Sequence, residues 1–197
     1  MISITKLIRT AAVAGMATAA LALPFGSSAS AAPATAAKAP AVVKAPALSN
    51  AAKHFMAKSK RSVCINAHIE NIGWQGWKCG TGWWPAYAGT TGQSLRIEAL
   101  SIATRKTGGV CAQGHVQNIG WQAWKCTKKN NKPVTIGTWG QALRLESVKL
   151  TTKTGICAQG HVQNIGWQKW SCSWWNKPAT IGTEGQSLRL EALRVRV

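Results

Sequence analysis

The chain has 197 residues, of which 46% are hydrophobic, and this suits one globular domain with flanking segments. Its 24 Lys and Arg residues face only five acidic residues, all of them Glu, for a formal net charge of +19. The scarcity of carboxylates argues against calcium sites and against catalysis by a pair of carboxylates.

The first 31 residues are typical of a secretory signal peptide. Lys6 and Arg9 precede an apolar run from Ala11 to Phe25, and the Ala-Ser-Ala that ends at Ala31 suits a signal peptidase. The run is shorter than the roughly 20 residues that a membrane-spanning helix needs. We therefore predict a secreted protein, extracellular or associated with the cell wall, with no membrane span. Removing the charges of Lys6 and Arg9 from +19 leaves +17.

Residues 32–61 are dominated by Ala, Pro and Lys and contain no acidic residue, which is typical of a solvated linker. Because Ala-Pro pairs favour extended conformations, we expect a disordered N-terminal segment here. A polybasic adhesive arm is the alternative. The stretch from Ala51 to Lys58 is compatible with a short helix, but Phe55 and Met56 offer too little apolar surface to dock it.

From residue 62 onward the chain repeats itself three times. Cys64, Cys111 and Cys157 open units spaced by 47 and then 46 residues, with approximate bounds 62–108, 109–154 and 155–197. Each unit continues with His-x-(Gln or Glu)-Asn-Ile-Gly-Trp-Gln-x-Trp-x-Cys, a variable loop that holds a Pro, and Gly-Gln-(Ser or Ala)-Leu-Arg-(Ile or Leu)-Glu. We predict that residues 62–197 form a single domain of three repeats.

The periodicity inside a unit is that of β-strands. From Val110 to Gln117, apolar or small residues alternate with polar ones, as in a strand with one buried face. Residues 118–120, Asn-Ile-Gly, are typical of a tight turn, Trp121 to Cys126 is predicted to return as a second strand, and another strand is predicted from Leu143 to Leu150. The pattern predicts an all-β fold with pseudo-threefold symmetry, trefoil-like or prism-like, and does not separate these two architectures.

The six cysteines stand at the two ends of the first hairpin of every unit, and a secreted location favours disulfides. Symmetry leaves two pairings, within units or between neighbouring units, and the second would join Cys64 to Cys172. If the Asn-Ile-Gly turn closes a hairpin, the two cysteines of a unit fall nearly opposite each other, at the short separation that a disulfide needs. We therefore favour the within-unit pairs, which are Cys64 with Cys79, Cys111 with Cys126, and Cys157 with Cys172.

Two runs carry a resemblance to a known family. Gly-His-Val-Gln-Asn-Ile-Gly-Trp-Gln from Gly114 and Gly-Gln-Ala-Leu-Arg-Leu-Glu from Gly140 resemble the clostridial hydrophobic W (ChW) repeats of secreted Gram-positive proteins, and the resemblance covers residues 62–197. It implies an extracellular module, usually arranged in triplets, that binds polysaccharides or proteins at the cell surface. The regular cysteine pairs depart from the family pattern, so the hairpin geometry is expected to differ.

Recurrence under pseudo-symmetry is what a shared core requires, so we predict structural packing for the recurring tryptophans, with a repeated ligand surface as the alternative. These tryptophans are Trp74, Trp77, Trp121, Trp124, Trp167 and Trp170.

The recurring histidines and Arg-Glu pairs are also predicted to be structural. Three histidines on one axis could bind zinc, but a hydrogen bond to a neighbour such as Gln117 or Glu98 is favoured, so no metal or cofactor is predicted. The Arg-Glu pairs favour salt bridges across strands or between units, and no catalytic residue is predicted. The residues are His68, His115 and His161 with Arg96/Glu98, Arg144/Glu146 and Arg189/Glu191.

The loops after the second cysteines differ between units and are predicted to bind a ligand. Large aromatic residues in polar, Pro-containing loops are poor core material and mark recognition surfaces, although covering the open ends of the barrel is an alternative. Indole faces can stack on sugar rings while lysines face acidic groups. The candidates are Trp83, Trp84, Tyr87, Lys128, Lys129, Trp139, Trp174 and Trp175.

The basic charge favours an anionic polymer as partner. We predict a secreted, non-catalytic module that binds cell-wall or extracellular polysaccharide. The alternative is a protein-interaction domain with an inhibitory or adhesive role. Nucleic acid is a weaker fit because no motif for its recognition is present.

Overall fold

The computed structural model describes residues 44–197, so the predictions for residues 1–43, including the signal peptide, lie outside the described residues. Within the described range, no helix has the length and apolar character needed to cross a membrane. The elements are α1 (Asn50–Lys58), β1 (Ser62–Ile69), β2 (Gly73–Trp74), β3 (Lys78–Gly80), β4 (Ala86–Gly89), β5 (Ile97–Arg105), β6 (Val110–Val116), β7 (Gly120–Trp121), β8 (Lys125–Thr127), β9 (Val134–Gly137), β10 (Leu145–Thr151), β11 (Cys157–Val162), β12 (Gly166–Trp167), β13 (Ser171–Cys172), β14 (Ala179–Gly182) and β15 (Leu190–Arg196).

Each repeat builds its sheet on two long antiparallel strands, which are β1 with β5, β6 with β10, and β11 with β15. The two short return strands of each hairpin pair with the other edge of the first long strand. The last strand of each sheet comes from another repeat: β9 pairs with β5, β14 with β10, and β4 with β15. Because this exchange closes into a ring, no repeat completes its sheet alone. The all-β, pseudo-threefold prediction is confirmed, and the described residues form three five-stranded sheets.

The shared core consists of aliphatic side chains from all three repeats. Strand β6 alternates between buried and half-buried positions, as the period of two predicts. Ile65, Leu100, Leu145 and Leu190 are fully buried in one cluster that spans the repeats. The recurring tryptophans lie outside this cluster, half-buried or exposed, so their packing is on the outer faces of the sheets rather than in the centre.

A glutamine in each repeat holds the strand that the repeat donates to its neighbour. The Gln122 side chain accepts a hydrogen bond from the Gly137 N–H at 2.7 Å and donates one to the Gly137 carbonyl at 3.2 Å. Gln75 with Gly89 and Gln168 with Gly182 form the same pair of bonds. This explains why the strand predicted from Trp121 to Cys126 is interrupted: the chain leaves the ladder between β7 and β8 so that the glutamine can reach the donated strand.

The helix α1 docks on the first repeat, which corrects the expectation that it has too little apolar surface. Leu48, Ala52 and Met56 follow each other at steps of four, which places them on one helical face, and all three are buried against the Cys64 disulfide region. The Trp77 indole N–H donates to the carbonyl of Ala47 at 2.8 Å. Phe55 does not contribute to this contact, because it is the neighbour of Met56 and lies on a different helical face, where it is exposed.

Candidate functional site

The domain has two different ends. Directly opposite residues of the hairpins form the disulfides, with Cα–Cα distances of 4.0 to 4.1 Å, and the within-unit pairing is the one observed. We call the end with the cysteines the disulfide end. We call the end with the Asn-Ile-Gly turns, at 71–73, 118–120 and 164–166, the turn end. The loops 81–85, 128–133 and 173–178 follow the cysteine-bearing return strands, so they lie at the disulfide end.

Two of these loops present pairs of exposed tryptophans. Trp83 is 91% exposed and Trp84 is 80% exposed, in a turn closed by a 2.7 Å hydrogen bond from the Thr81 N–H to the Trp84 carbonyl. Trp174 is 71% exposed and Trp175 is fully exposed. An indole that covered an end of the core would be buried, so these values favour recognition over end-capping.

The tip of the third loop holds its tryptophan in an unfavourable backbone conformation. Trp174 and Lys177 exchange two backbone hydrogen bonds, of 2.9 and 2.7 Å, around the two-residue turn formed by Trp175 and Asn176. Trp175 has a φ of 45°, in the left-handed region that bulky residues avoid. Strain of this kind concentrates at binding and catalytic sites.

Replacing Trp175 with Gly tests whether the indole stabilises the turn or only adds backbone strain to it. Because Gly adopts a positive φ without cost and the indole buries nothing in the fold, the free energy of unfolding is expected to stay constant or rise by about 1 kcal/mol. Thermal unfolding of the two proteins measures this. A loss of more than about 1 kcal/mol would show that the indole supports the turn.

A cleft of about 1030 Å³ opens at the disulfide end, and all three repeats contribute to its wall. The turns at 107–109 and 151–155 carry glycines and leave the cleft open, while Trp174 and Trp175 stand at its side. Four cationic residues line it, namely Arg61, Lys128, Lys153 and Arg196.

Three of these cations were not among the sequence candidates. Arg61 had been assigned to the linker, and Lys153 and Arg196 lie next to turns or strand ends that the repeat pattern treats as framework. Their convergence depends on the ring of exchanged strands, which the sequence pattern does not predict. The sequence feature that could have indicated the cleft is the glycines Gly108, Gly109 and Gly155, because connections built from glycine have no side chains to fill the space beside them.

Of the eight predicted ligand residues, Lys128, Trp174 and Trp175 line the cleft, and the other five do not. Tyr87 belongs to strand β4 rather than to a loop, and its ring centroid lies 6.1 Å from that of Trp167. Trp139 follows strand β9 at the turn end, where its ring centroid lies 5.8 Å from that of Trp74. Lys129 is exposed on the second loop.

Near the turn end, each repeat forms a cluster of histidine, glutamate, arginine and tryptophan. The register of β5 against β1 skips Glu98, and this bulge brings its carboxylate within 3.1 Å of the Nδ1 of His68. The other carboxylate oxygen of Glu98 accepts hydrogen bonds from Arg96, at 2.9 and 3.1 Å. The His68 ring meets Trp74 edge to face at 5.3 Å.

The other two repeats build the same cluster on a buried glutamate. In the third repeat, Glu191 lies at the bulge of β15 against β11, and one of its carboxylate oxygens is 3.1 Å from the Nδ1 of His161. Its other oxygen accepts hydrogen bonds from the Arg189 guanidinium, at 2.9 and 3.0 Å. The corresponding residues of the second repeat are Glu146, His115 and Arg144.

Ion pairs across strands, one of the two arrangements expected for these residues, are present: Arg96 pairs with Glu70 at the end of the neighbouring strand, and each recurring glutamate contacts the histidine of the strand paired with its own. Each arginine binds the glutamate two residues further along the same strand end, and the glutamate reaches the histidine of its own repeat. The reason is the bulge, which turns the glutamate toward the histidine and leaves the arginine as its nearest cation. The pairs concerned are Arg96/Glu98, Arg144/Glu146 and Arg189/Glu191.

The carboxylates of the three clusters are each held between two partners, an arrangement that stabilises the sheet ends. The histidine of the first long strand contacts the glutamate across the strand pair in every repeat, and in the first repeat Arg96 also contacts Glu70 across it. Within residues 44–197, no three metal-ligating side chains come together.

Fold and site together define a disulfide-bonded β module of three repeats with an aromatic, basic cleft at one end. The clostridial hydrophobic W (ChW) family matches the chain at residues 68–105, 115–151 and 161–197. The chain belongs to this family, which is not a known catalytic family, and a disulfide-rich member is compatible with an extracellular location. Comparisons with curated proteins and with solved structures find no match.

Proposed function

We propose that the protein is a secreted, non-catalytic module that binds cell-wall or other extracellular polysaccharide through the aromatic loops at its disulfide end. The exposure of Trp83, Trp84, Trp174 and Trp175 is the observation that carries the proposal. A ring stacked on an indole covers part of the roughly 150–250 Å² that a fully buried aromatic side chain removes from water, and each Å² covered contributes about 25 cal/mol. Trp174 and Trp175 line the cleft, and Trp83 and Trp84 follow Gly82, which also lines it.

The proposal includes secretion of the protein through its N-terminal signal peptide. Pairing of all six cysteines supports an oxidising compartment. Cleavage after Ala31, followed by residues 32–61 as a linker and 62–197 as the binding domain, accounts for the order of the segments. The engaged carboxylates of the His–Glu–Arg clusters support a non-catalytic role, because a general acid or base needs a carboxylate that can reach the substrate.

A second candidate function is binding of another secreted protein at the turn end. The isoleucines of the three Asn-Ile-Gly turns are about half exposed: Ile72 by 50%, Ile119 by 52% and Ile165 by 51%. Exposed aliphatic residues repeated at one end of the domain suit contact with a protein surface better than with a sugar ring.

Retention of the oxidised protein on insoluble glycans and purified cell walls tests the proposal. We expect retention of the wild-type chain and a loss of at least about tenfold in affinity for the Trp83→Ala/Trp84→Ala and Trp174→Ala/Trp175→Ala variants, a loss of about 1.4 kcal/mol or more. The matched control is Ile119→Ala/Ile165→Ala, which truncates two exposed apolar residues at the other end.

Retention that both tryptophan variants leave unchanged would contradict the proposal. Failure to bind any wall or glycan, together with capture of one secreted protein that the isoleucine variant abolishes, would select the second candidate function.

A further inference from the structure

The acidic residues of this protein are segregated from the cleft. All five glutamates of the chain lie in described residues and all have partners near the turn end. Glu70 pairs with Arg96, and Glu184 accepts a 3.0 Å hydrogen bond from the Trp121 indole; the other three belong to the His–Glu–Arg clusters. Thr151 lines the cleft five residues along β10 from Glu146, so about 16 Å of extended chain separates the two.

The cleft, in contrast, is lined by basic residues. Arg61, Lys128, Lys153 and Arg196 line it, and no carboxylate side chain of residues 44–197 does. The guanidinium of Arg196 also lies 4.5 Å from the centroid of the Trp170 ring, which holds it in place. Cations grouped in a concave site without an acidic side chain among them attract anions more strongly than the same cations spread over a convex surface.

Backbone also lines the cleft, at Gly108, Gly109 and Gly155. The glycine-rich turns beside it leave room for a ligand to approach the backbone.

We propose that this cleft binds the anionic group of the polymer, a phosphodiester or a carboxylate, and thereby makes the protein selective for acidic over uncharged polymers. This inference rests on the proposed function. Arginine and lysine neutralise the charge, and the indoles of Trp174 and Trp175 cover the adjacent ring. Because all three repeats contribute to one cleft, the threefold chain binds one anionic group per molecule at this site.

Binding of the full oxidised chain to three soluble polymers tests the inference: a poly(glycerol phosphate), polygalacturonate and an uncharged glucan of similar length. Two double variants with the same net charge are compared, Lys128→Gln/Lys153→Gln in the cleft and Lys53→Gln/Lys169→Gln outside it. We expect the cleft variant to lose about tenfold in affinity for the anionic polymers at low salt, and the control to lose less than about twofold. The preferred anionic polymer identifies the group as phosphodiester or carboxylate.

Equal losses in the two lysine variants would overturn the inference, because net charge alone would then explain the binding. Glucan binding as tight as that of the anionic polymers, lost on Trp174→Ala/Trp175→Ala but not on the lysine changes, would also overturn it while leaving the proposed function intact. Absence of binding to all three polymers, and to insoluble glycans and walls, would overturn both. Tighter binding of a single-stranded oligonucleotide through the same lysines would replace the polysaccharide with nucleic acid.

Discussion

Replacing Gly182 with Ala is expected to prevent the domain from closing, with a loss of more than about 4 kcal/mol in the free energy of unfolding. Gly182 ends the strand that the third repeat donates to the second, and it has a φ of 94°. A Cβ there would lie 2.6 Å from the Cα of Ser147 and closer still to the carbonyl oxygen of Glu146. Both neighbours are backbone atoms of the sheet, so neither can move aside without breaking the pairing.

The control is Gly185→Ala in the loop that follows. Gly185 has a φ of 69°, and a Cβ there would meet nothing within 4 Å. It therefore isolates the cost of the left-handed backbone, about 1–2 kcal/mol. Chemical denaturation of both variants measures the difference. Equal effects would show that strand exchange does not depend on the close approach at Gly182.

Removing the second disulfide, by Cys111→Ala/Cys126→Ala, is expected to lower the free energy of unfolding by about 3 kcal/mol. The bond closes a loop with a sequence separation of 15, and the cross-link limits the freedom of the unfolded chain. No single repeat completes its sheet, so the hairpin depends on this bond and on its neighbours for its order.

The equivalent change in the first repeat, Cys64→Ala/Cys79→Ala, is expected to cost more. Cys64 is fully buried, and helix α1 packs against it through Met56. Loss of that disulfide should therefore also release the helix, seen as faster hydrogen exchange at residues 50–58. A loss below about 1 kcal/mol in both variants would contradict the stabilising role of the bonds.

The sequence predicted correctly the strands, turns and disulfides whose geometry depends on residues close to each other in the chain. The alternation from Val110 to Gln117 corresponds to β6, and the Asn-Ile-Gly turns take positive φ at Asn118 and Gly120. The opposition of Cys111 and Cys126 follows from the same hairpin register. These features depend on backbone sterics and on period-two burial, which a single sequence displays.

Features that depend on contacts between repeats were not predictable in this way. The ring of donated strands appears in the sequence only as glycines such as Gly137 and Gly182, whose backbone neighbours lie in another repeat. The convergence of Arg61 and Arg196 on one cleft is a consequence of that ring. The docking of α1 was missed because its apolar stripe begins at Leu48, before the helix, and because its partner surface is a disulfide.

The sequence predicted one partner of the recurring glutamates, the histidine that Glu98 contacts, but not the arginine two residues earlier on the same strand. The spacing of Arg189 and Glu191 places both on one face of a regular strand, and this suggested partners on a neighbouring strand or repeat. The bulge at Glu191 breaks that regularity and directs its carboxylate to His161. No residue next to Glu191 is of a type that would predict a bulge at this position.

The loop tryptophans were recognised because their aromatic content varies between otherwise similar repeats. Tyr87 and Trp139 satisfied the same criterion but lie on a strand and at the turn end. Sequence variation alone does not distinguish a residue that faces a ligand from one that fills a site between two repeats. The exposure of each side chain makes that distinction.

The central claim is that the disulfide end is the binding surface, and NMR titration of the oxidised protein with a soluble cell-wall oligosaccharide tests it most directly. If the disulfide end binds the oligosaccharide, we expect the indole N–H signals of Trp83, Trp84, Trp174 and Trp175 to shift on binding. We expect no shift of the methyl signals of Ile72, Ile119 and Ile165 at the turn end. Shifts confined to these isoleucines, with the four indoles unchanged, would contradict it.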